Sequence, residues 1–320
     1  METALDPLET GLREGEDVAK SPRQLIWERF KADRAALLGV LLLALLSLCA
    51  IFAGVISRDL IHHGANQLFE TQMLNQFGLP NGPNSHFWFG SDSEGRDLLV
   101  RVLYGTRTSL FIGVVATGIA FVIGVVVGLL AGYFGGVIDT LISRVADIFL
   151  ALPLLLIAIG IVAACGTSAR GCLHGTLQPG LKLVTIIIAL FSWPYIARIV
   201  RGNVISIREK EFVEASRALG ATNGWIIRRE ILPNLVAPII VYATLLIPNN
   251  ILFEATLSFL GVGVPDQTPS WGGMLRDASG LFDVAWWLMV FPGLFLLATT
   301  LAFNLVGDGL RDALDPKTSR

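Results

Sequence analysis

Long apolar runs alternate with polar intervals along the chain, and six of the runs are long enough to cross a bilayer. They lie near Ala36 to Ile56, Ser109 to Ala131, Leu141 to Ala164, Leu181 to Val200, Leu235 to Leu260 and Ala285 to Val306. About 30 Å of hydrocarbon takes roughly 20 residues of helix. Helix is the expected form because lipid offers no partner to a free backbone N–H or C=O, and β-barrel alternation is absent. The pattern predicts an all-α integral membrane protein with six transmembrane helices. It divides the chain into a polar tail over 1–35, a first helix over 36–56, an outer loop over 57–108, a helical core over 109–306 and a second tail over 307–320.

One polar interval stands apart. Within 201–234, between the fourth and fifth runs, the chain reads EFVEASRALGATNGWIIRREILPNL from Glu211 to Leu235. Phe212, Val213, Ala215, Ala218 and Leu219 fall on one side of a short helix, with Glu211, Glu214 and Arg217 on a charged face, an amphipathic and not a membrane-buried pattern. Gly220 follows at a position that favours positive φ. Thr222 or Asn223 is placed to cap a second helix, which Pro233 ends or hands on to the next span. Two short helices meeting at a glycine predict a knob that projects from the bilayer.

Composition agrees with the pattern. The 320 residues are 53% hydrophobic and 16% charged, against about 25% charged residues in soluble domains. A net charge of -2 leaves no nucleic-acid footprint. Lys and Arg concentrate on one side, in the N-terminal tail (Arg13, Lys20, Arg23, Arg29, Lys31, Arg34), at Arg144, from Arg198 to Arg229, and at Arg311, Lys317 and Arg320. The other side holds fewer: Arg58, Arg96, Arg101, Arg107, Arg170, Lys182 and Arg276. The positive-inside rule then places both termini and the knob in the cytoplasm. The first apolar run is too long and too far from Met1 for a signal-peptide core, so no cleaved signal is expected. Leu48 is too bulky to precede a lipoprotein Cys, and Cys49 reads as a buried apolar residue.

Cys165 and Cys172 fall in the outer segment CGTSARGCLHG, at a spacing that suits either a disulfide or two free thiols. A metal site built from them and His174 lacks a fourth ligand. His62, His63 and His86 read as surface residues of the outer loop, where the cluster from Pro80 to Asn84 predicts turns and a small external subdomain. Gly124, Gly128, Gly132 and Gly136 recur every fourth residue, a stripe along which helices approach closely. Pro153, Pro248 and Pro292 interrupt spans, as static kinks or as hinges. Glu254 is the carboxylate furthest inside a run. With Asn249 and Asn250 it either borders a solute pathway or sits near the outer end, bonded within the Gly261 to Gly263 turn. Phosphate-cradling, HExxH and GxSxG patterns are all lacking, which argues against an ATPase, a metalloprotease or a hydrolase in this chain.

Glu214-Ala215-Ser216, Gly220 and Ile231-Leu232-Pro233 resemble the EAA loop of permease subunits in ATP-binding-cassette importers. The segment FGSDSEGRDLLVRVLYGTRTSL, Phe89 to Leu110, is similar to the entry segment of the dipeptide and oligopeptide branch, with Ser91 and Val100 as mild departures. GLLAGYFGGVIDTLISRVADIFLALPLLLIAI, WPYIARIVRGNVISIREKEFVEASRALGA, EATLSFLGVGVPDQTPSWGGMLRDA and WWLMVFPGLFLLATTLAFNLVGDGLRDALDP continue the likeness in order. Only the tail before Ser21 and the Cys165 to Gly180 loop fall outside it. The resemblance implies the type I importer permease fold and a "C"-type subunit. Its implied partners are a second homologous permease, two ATPase subunits that bind ATP and Mg, an extracytoplasmic solute-binding protein and a peptide substrate. This chain would carry no cofactor of its own. ATPase coupling would fall to Glu211, Glu214, Ala215, Ser216, Arg217, Ala218, Leu219, Gly220 and Ala221. Nickel, glutathione or another small solute is an alternative cargo. An ATP-independent secondary transporter is an alternative class, for which inverted repeats are expected and none is evident.

Overall fold

The computed structural model describes residues 21–167, 172 and 180–314. Helix α1, Pro22–Ala32, begins at a capping box in which Ser21 and Gln24 satisfy each other's backbone N–H groups. Eleven residues with Arg and Lys near the end do not register as an apolar run, so hydropathy leaves this helix inside a tail; the Ser-x-x-Gln signature marks it. Asp33 ends α1 and caps α2, Arg34–Val55, accepting from Ala35 N at 2.8 Å. A wide turn, Ile56–Ile61, extends α2 into the outer loop, which holds the one-turn α3, Glu70–Met73.

Helix α4, Leu98–Phe134, is the long rod of the molecule. It starts well before the apolar run at Ser109, because Asp97 caps it and because the arginine in its first turn is neutralised by partners described below. Gly135 and Gly136, both at positive φ, turn the chain into α5, Gly136–Ala151. Then follow α6, Leu154–Thr167, and α7, Leu181–Arg208. The knob carries α8, Glu211–Ala218, and α9, Asn223–Ile226. Through a wide turn at Ile227–Ile231, α9 runs on into α10, Leu232–Phe259. After α11, Trp271–Ala278, comes α12, Trp287–Leu314. Among the described residues there is no strand, only isolated bridges such as Leu68 with Arg96.

Among the described residues, five stretches are long and apolar enough to cross a membrane: Arg34–Ile61, Leu98–Phe134, Leu181–Arg208, Asn223–Phe259 and Trp287–Leu314. The expected third span is a bent pair, α5 with α6, at 81° across the break, and makes a sixth crossing if the pair is one span. Pro153 explains the position of the break, since it cannot donate to the helix and holds the preceding residue extended. Leu152 indeed has ψ 133°.

The glycine stripe packs α4 on α7. A Cβ at Gly124 would lie 2.7 Å from Ile196 Cβ, at Gly128 2.4 Å from the Ala197 carbonyl oxygen, and at Gly132 2.7 Å from Val204 Cβ. Only glycine allows this approach. Gly136 is not part of the stripe: no atom lies within 4 Å of its Cβ position, and it serves the turn between α4 and α5. Val200, Val204, Val213, Ile226, Ile231 and Leu235 are fully buried nearby, so the core of the bundle continues into the base of the knob.

Candidate functional site

The knob is rigidly built. At the end of α8, Gly220 N donates to the Arg217 carbonyl at 3.0 Å and Ala221 N donates to the Ser216 carbonyl at 3.1 Å. This pair of bonds is a Schellman closure, which demands a left-handed residue, and Gly220 has φ 84°. Thr222 Oγ1 then accepts from Trp225 N and starts α9. The expected second short helix is in fact the leading end of the fifth span. The wide turn before Leu232 absorbs Pro233, whose missing N–H would otherwise break the ladder, and Asn234 Nδ2 donates to the Glu230 carbonyl at 2.6 Å.

Side chains tie this knob to the bundle. Val213 is fully buried, and Ser216, half-buried, donates to Glu230 at 3.3 Å. Tyr133 Oη donates to Asn223 at 2.8 Å, and Arg208 donates to the Gly132 carbonyl at 2.8 Å. Ala221 packs against the core. The rest of the predicted set, Glu211, Glu214, Ala215, Arg217, Ala218, Leu219 and Gly220, is exposed. Leu219 is 89% exposed, with Phe212 and Trp225 also open to solvent. A surface mixing carboxylates, a guanidinium and large apolar groups on a fixed backbone is suited to binding another protein.

A second feature lies within the membrane part. A cavity of about 430 Å³ is lined from α6, α7 and α10, and both Asn249 and Asn250 border it. Asn250 is buried, accepting from Ser192 Oγ at 2.9 Å and donating to Thr117 Oγ1 at 2.8 Å, which links α10, α7 and α4. Asn249 is exposed, with Nδ2 donating to the Leu245 carbonyl at 3.0 Å.

Glu254 does not join them. It is fully buried outside that cavity and accepts from Ser109 Oγ at 3.0 Å and Ser258 Oγ at 2.7 Å. Ser258 Oγ in turn accepts from Val264 N at 3.2 Å, so the carboxylate pins the turn over 260–270 against α4 and α10 through hydroxyls. That turn is held again by charges. Asp266 lies 2.7 Å from Arg96 and 3.0 Å from Arg101, and Asp92 lies 2.6 Å from Arg96 and 3.1 Å from Arg101. Burial raises the Asp266 carboxyl, but the Arg96 hydrogen bond and the Arg101 charge outweigh it and hold the group below its ordinary value. Residues from distant parts of the sequence thus form one clamp, whose local signal was a run of charges at the start of an apolar helix.

His63 is not a surface residue. It stacks on Phe87 with centroids 4.7 Å apart, and its Nδ1 lies 2.6 Å from Asp97 Oδ2. Cys165 and Cys172 are disulfide-bonded, with Cα atoms 4.9 Å apart. His174 lies outside the described residues, among which no group of three His, Cys, Asp or Glu is gathered to hold a metal ion.

Residues 124–320 match the family described as binding-protein-dependent transport system inner membrane component. Residues 21–75 match the N-terminal TM domain of oligopeptide transport permease C. The chain is 42% identical to the glutathione transport system permease protein GsiD of Escherichia coli O6:K15:H31 over 301 residues, covering 94% of this chain and 92% of that protein. It is 41% identical to the dipeptide transport system permease protein DppC of Alkalihalophilus pseudofirmus over 304 residues, covering 95% and 93%. In fold it is similar to the methionine ABC transporter MetNI in inward-facing form, with TM-score 0.56 and 22% identity over 67% of this chain and 97% of that one. With the helical bundle, the knob and these matches together, the chain belongs to the binding-protein-dependent transport system inner membrane components, and is a multi-pass permease component of an ABC importer in the inner membrane.

Proposed function

We propose that this chain is the non-catalytic permease subunit of an importer for short peptides, working with a second homologous permease, two ATPase subunits and an external solute-binding protein. ATP and Mg belong to the ATPase subunits. The observation that carries the coupling role is the knob itself: α8 is anchored by Val213 and closed at Gly220, yet its outward residues, Leu219 above all, stay exposed among the described residues. An exposed apolar side chain on a rigid protrusion becomes favourable once a partner covers it. Glu211 through Ala221 then form the element that passes ATPase motion to the bundle. Arg208, Arg228, Arg229 and Arg311 lie near this end, which supports a cytoplasmic knob and cytoplasmic termini.

The peptide reading rests on the relatives named for dipeptide and for glutathione, both of which are peptides. The decisive measurement is uptake by the complete complex in vesicles, assayed with labelled dipeptide, glutathione and nickel. ATP-dependent accumulation of a peptide is expected. Accumulation that needs no ATPase subunit, or that is confined to nickel, overturns the reading.

A further inference from the structure

We infer that the cavity between α6, α7 and α10 is a subsite for the amide backbone of the transported peptide and does not distinguish the sign of a side-chain charge. The inference rests on the peptide-import reading and adds which groups of this chain touch the cargo. The cavity volume, about 430 Å³, falls within the ~300–1,000 Å³ of small-molecule sites. Its polar lining consists of Ser192, Tyr195, Tyr242, Asn249 and Asn250, and among the described residues no Asp, Glu, Lys, Arg or His borders it.

That inventory suits one chemistry. A peptide bond brings one N–H donor and one C=O acceptor, which neutral amides and phenols match without charge. A side-chain charge finds no counter-ion here, so the cavity holds it no better than water does. The lining also has capacity to spare. An Asn amide offers two N–H donors and two lone pairs. Asn250 spends one N–H on Thr117 and one lone pair on Ser192. Asn249 spends one N–H on the Leu245 carbonyl. Among the described residues nothing in the chain donates to Asn249 Oδ1, and the Tyr195 and Tyr242 hydroxyls are unbonded while both rings stand open to the cavity. The Thr117–Asn250–Ser192 chain stiffens the wall, so these groups are placed before cargo arrives.

The test reads charge selectivity in the assembled importer. Uptake of Lys-Ala is divided by uptake of Glu-Ala for wild type, Asn249→Asp and Asn249→Lys. Asn249→Asp is expected to raise this ratio roughly tenfold and Asn249→Lys to lower it as much, equivalent to about 1.4 kcal/mol. Ratios within about twofold of wild type in both variants, at wild-type protein level, overturn the subsite and mean that lipid or the second permease fills the cavity. Should the Asn249 variants fail to reach the membrane, Tyr195→Lys, at a more open position, carries the same expectation and the same overturning result. An active wild type with unchanged ratios fails the subsite alone, whereas a wild type that accumulates neither peptide fails the import reading.

Discussion

A single backbone angle decides where the knob points. Gly220 has φ 84°, and no atom lies within 4 Å of where its Cβ would be. The site is therefore demanding in conformation and permissive in space, and the two demands separate experimentally. Asn tolerates the left-handed region, whereas a β-branched residue pays about 1–2 kcal/mol or more there. Gly220→Asn should keep ATP-dependent uptake near wild type. Gly220→Val should insert normally yet lose ATPase association and uptake. Equal behaviour of the two variants, both at wild-type level, would remove the angle from the coupling argument. This position was legible in the chain because a glycine between two amphipathic segments has few other uses. The surroundings of Glu254 were not: its hydroxyl partners Ser109 and Ser258 are brought to it by the packing of α4 on α10 and by the helical turn of α10.

Among elements, the apolar runs announced the spans, since lipid imposes length and hydropathy together. Features that depend on distant partners stayed hidden. The early start of α4 needs Asp266 to neutralise Arg101, and the continuity of α9 with α10 needs a widened turn that tolerates Pro233. The turn over 260–270 shows what such partners contribute. Arg101 is almost wholly buried and Asp266 stays about one quarter exposed. Asp266→Asn should therefore cost ~1–3 kcal/mol near neutral pH, less than the ~3–5 of a fully buried pair broken on one side. The Asp266 carboxyl lies below its ordinary 3.8 in the folded protein. Its stabilisation is complete above that pH and is lost as pH falls through the folded value. Asp277, raised by burial, acts in the opposite direction. Thermal unfolding in detergent should thus separate wild type from Asp266→Asn at pH 7 and bring them together in strong acid. A constant difference across that range would show that the carboxylate charge is not what holds the turn.

Across the whole molecule, α4 joins the Arg96–Arg101–Asp266 clamp to the knob. Its 37 residues span about 55 Å at 1.5 Å per residue. Arg101 fixes its N-terminal end to Asp92 and Asp266, and its C-terminal end receives Arg208 and positions Tyr133 against Asn223. Between these ends the glycine stripe locks α4 to α7, a close helix pair that runs alongside the continuous α9–α10 helix from the knob. Displacing that pair should disconnect the two ends without touching either. At Gly128 a Cβ would sit 2.4 Å from the Ala197 carbonyl oxygen and 2.9 Å from Val200 Cβ, and Gly118 on the same helix has nothing within 4 Å. Gly128→Leu forces the helices apart at a cost of ~1–3 kcal/mol or more, and Gly118→Leu meets open space. The expected outcome is wild-type uptake for Gly118→Leu and loss of uptake for Gly128→Leu, with its ATPase subunits still bound and its resistance to denaturing detergent lowered. Gly128→Ala should fall between, because one methyl demands a smaller displacement. Uptake by Gly128→Leu equal to that of Gly118→Leu, at matched protein levels, would mean that uptake does not depend on the close α4–α7 contact.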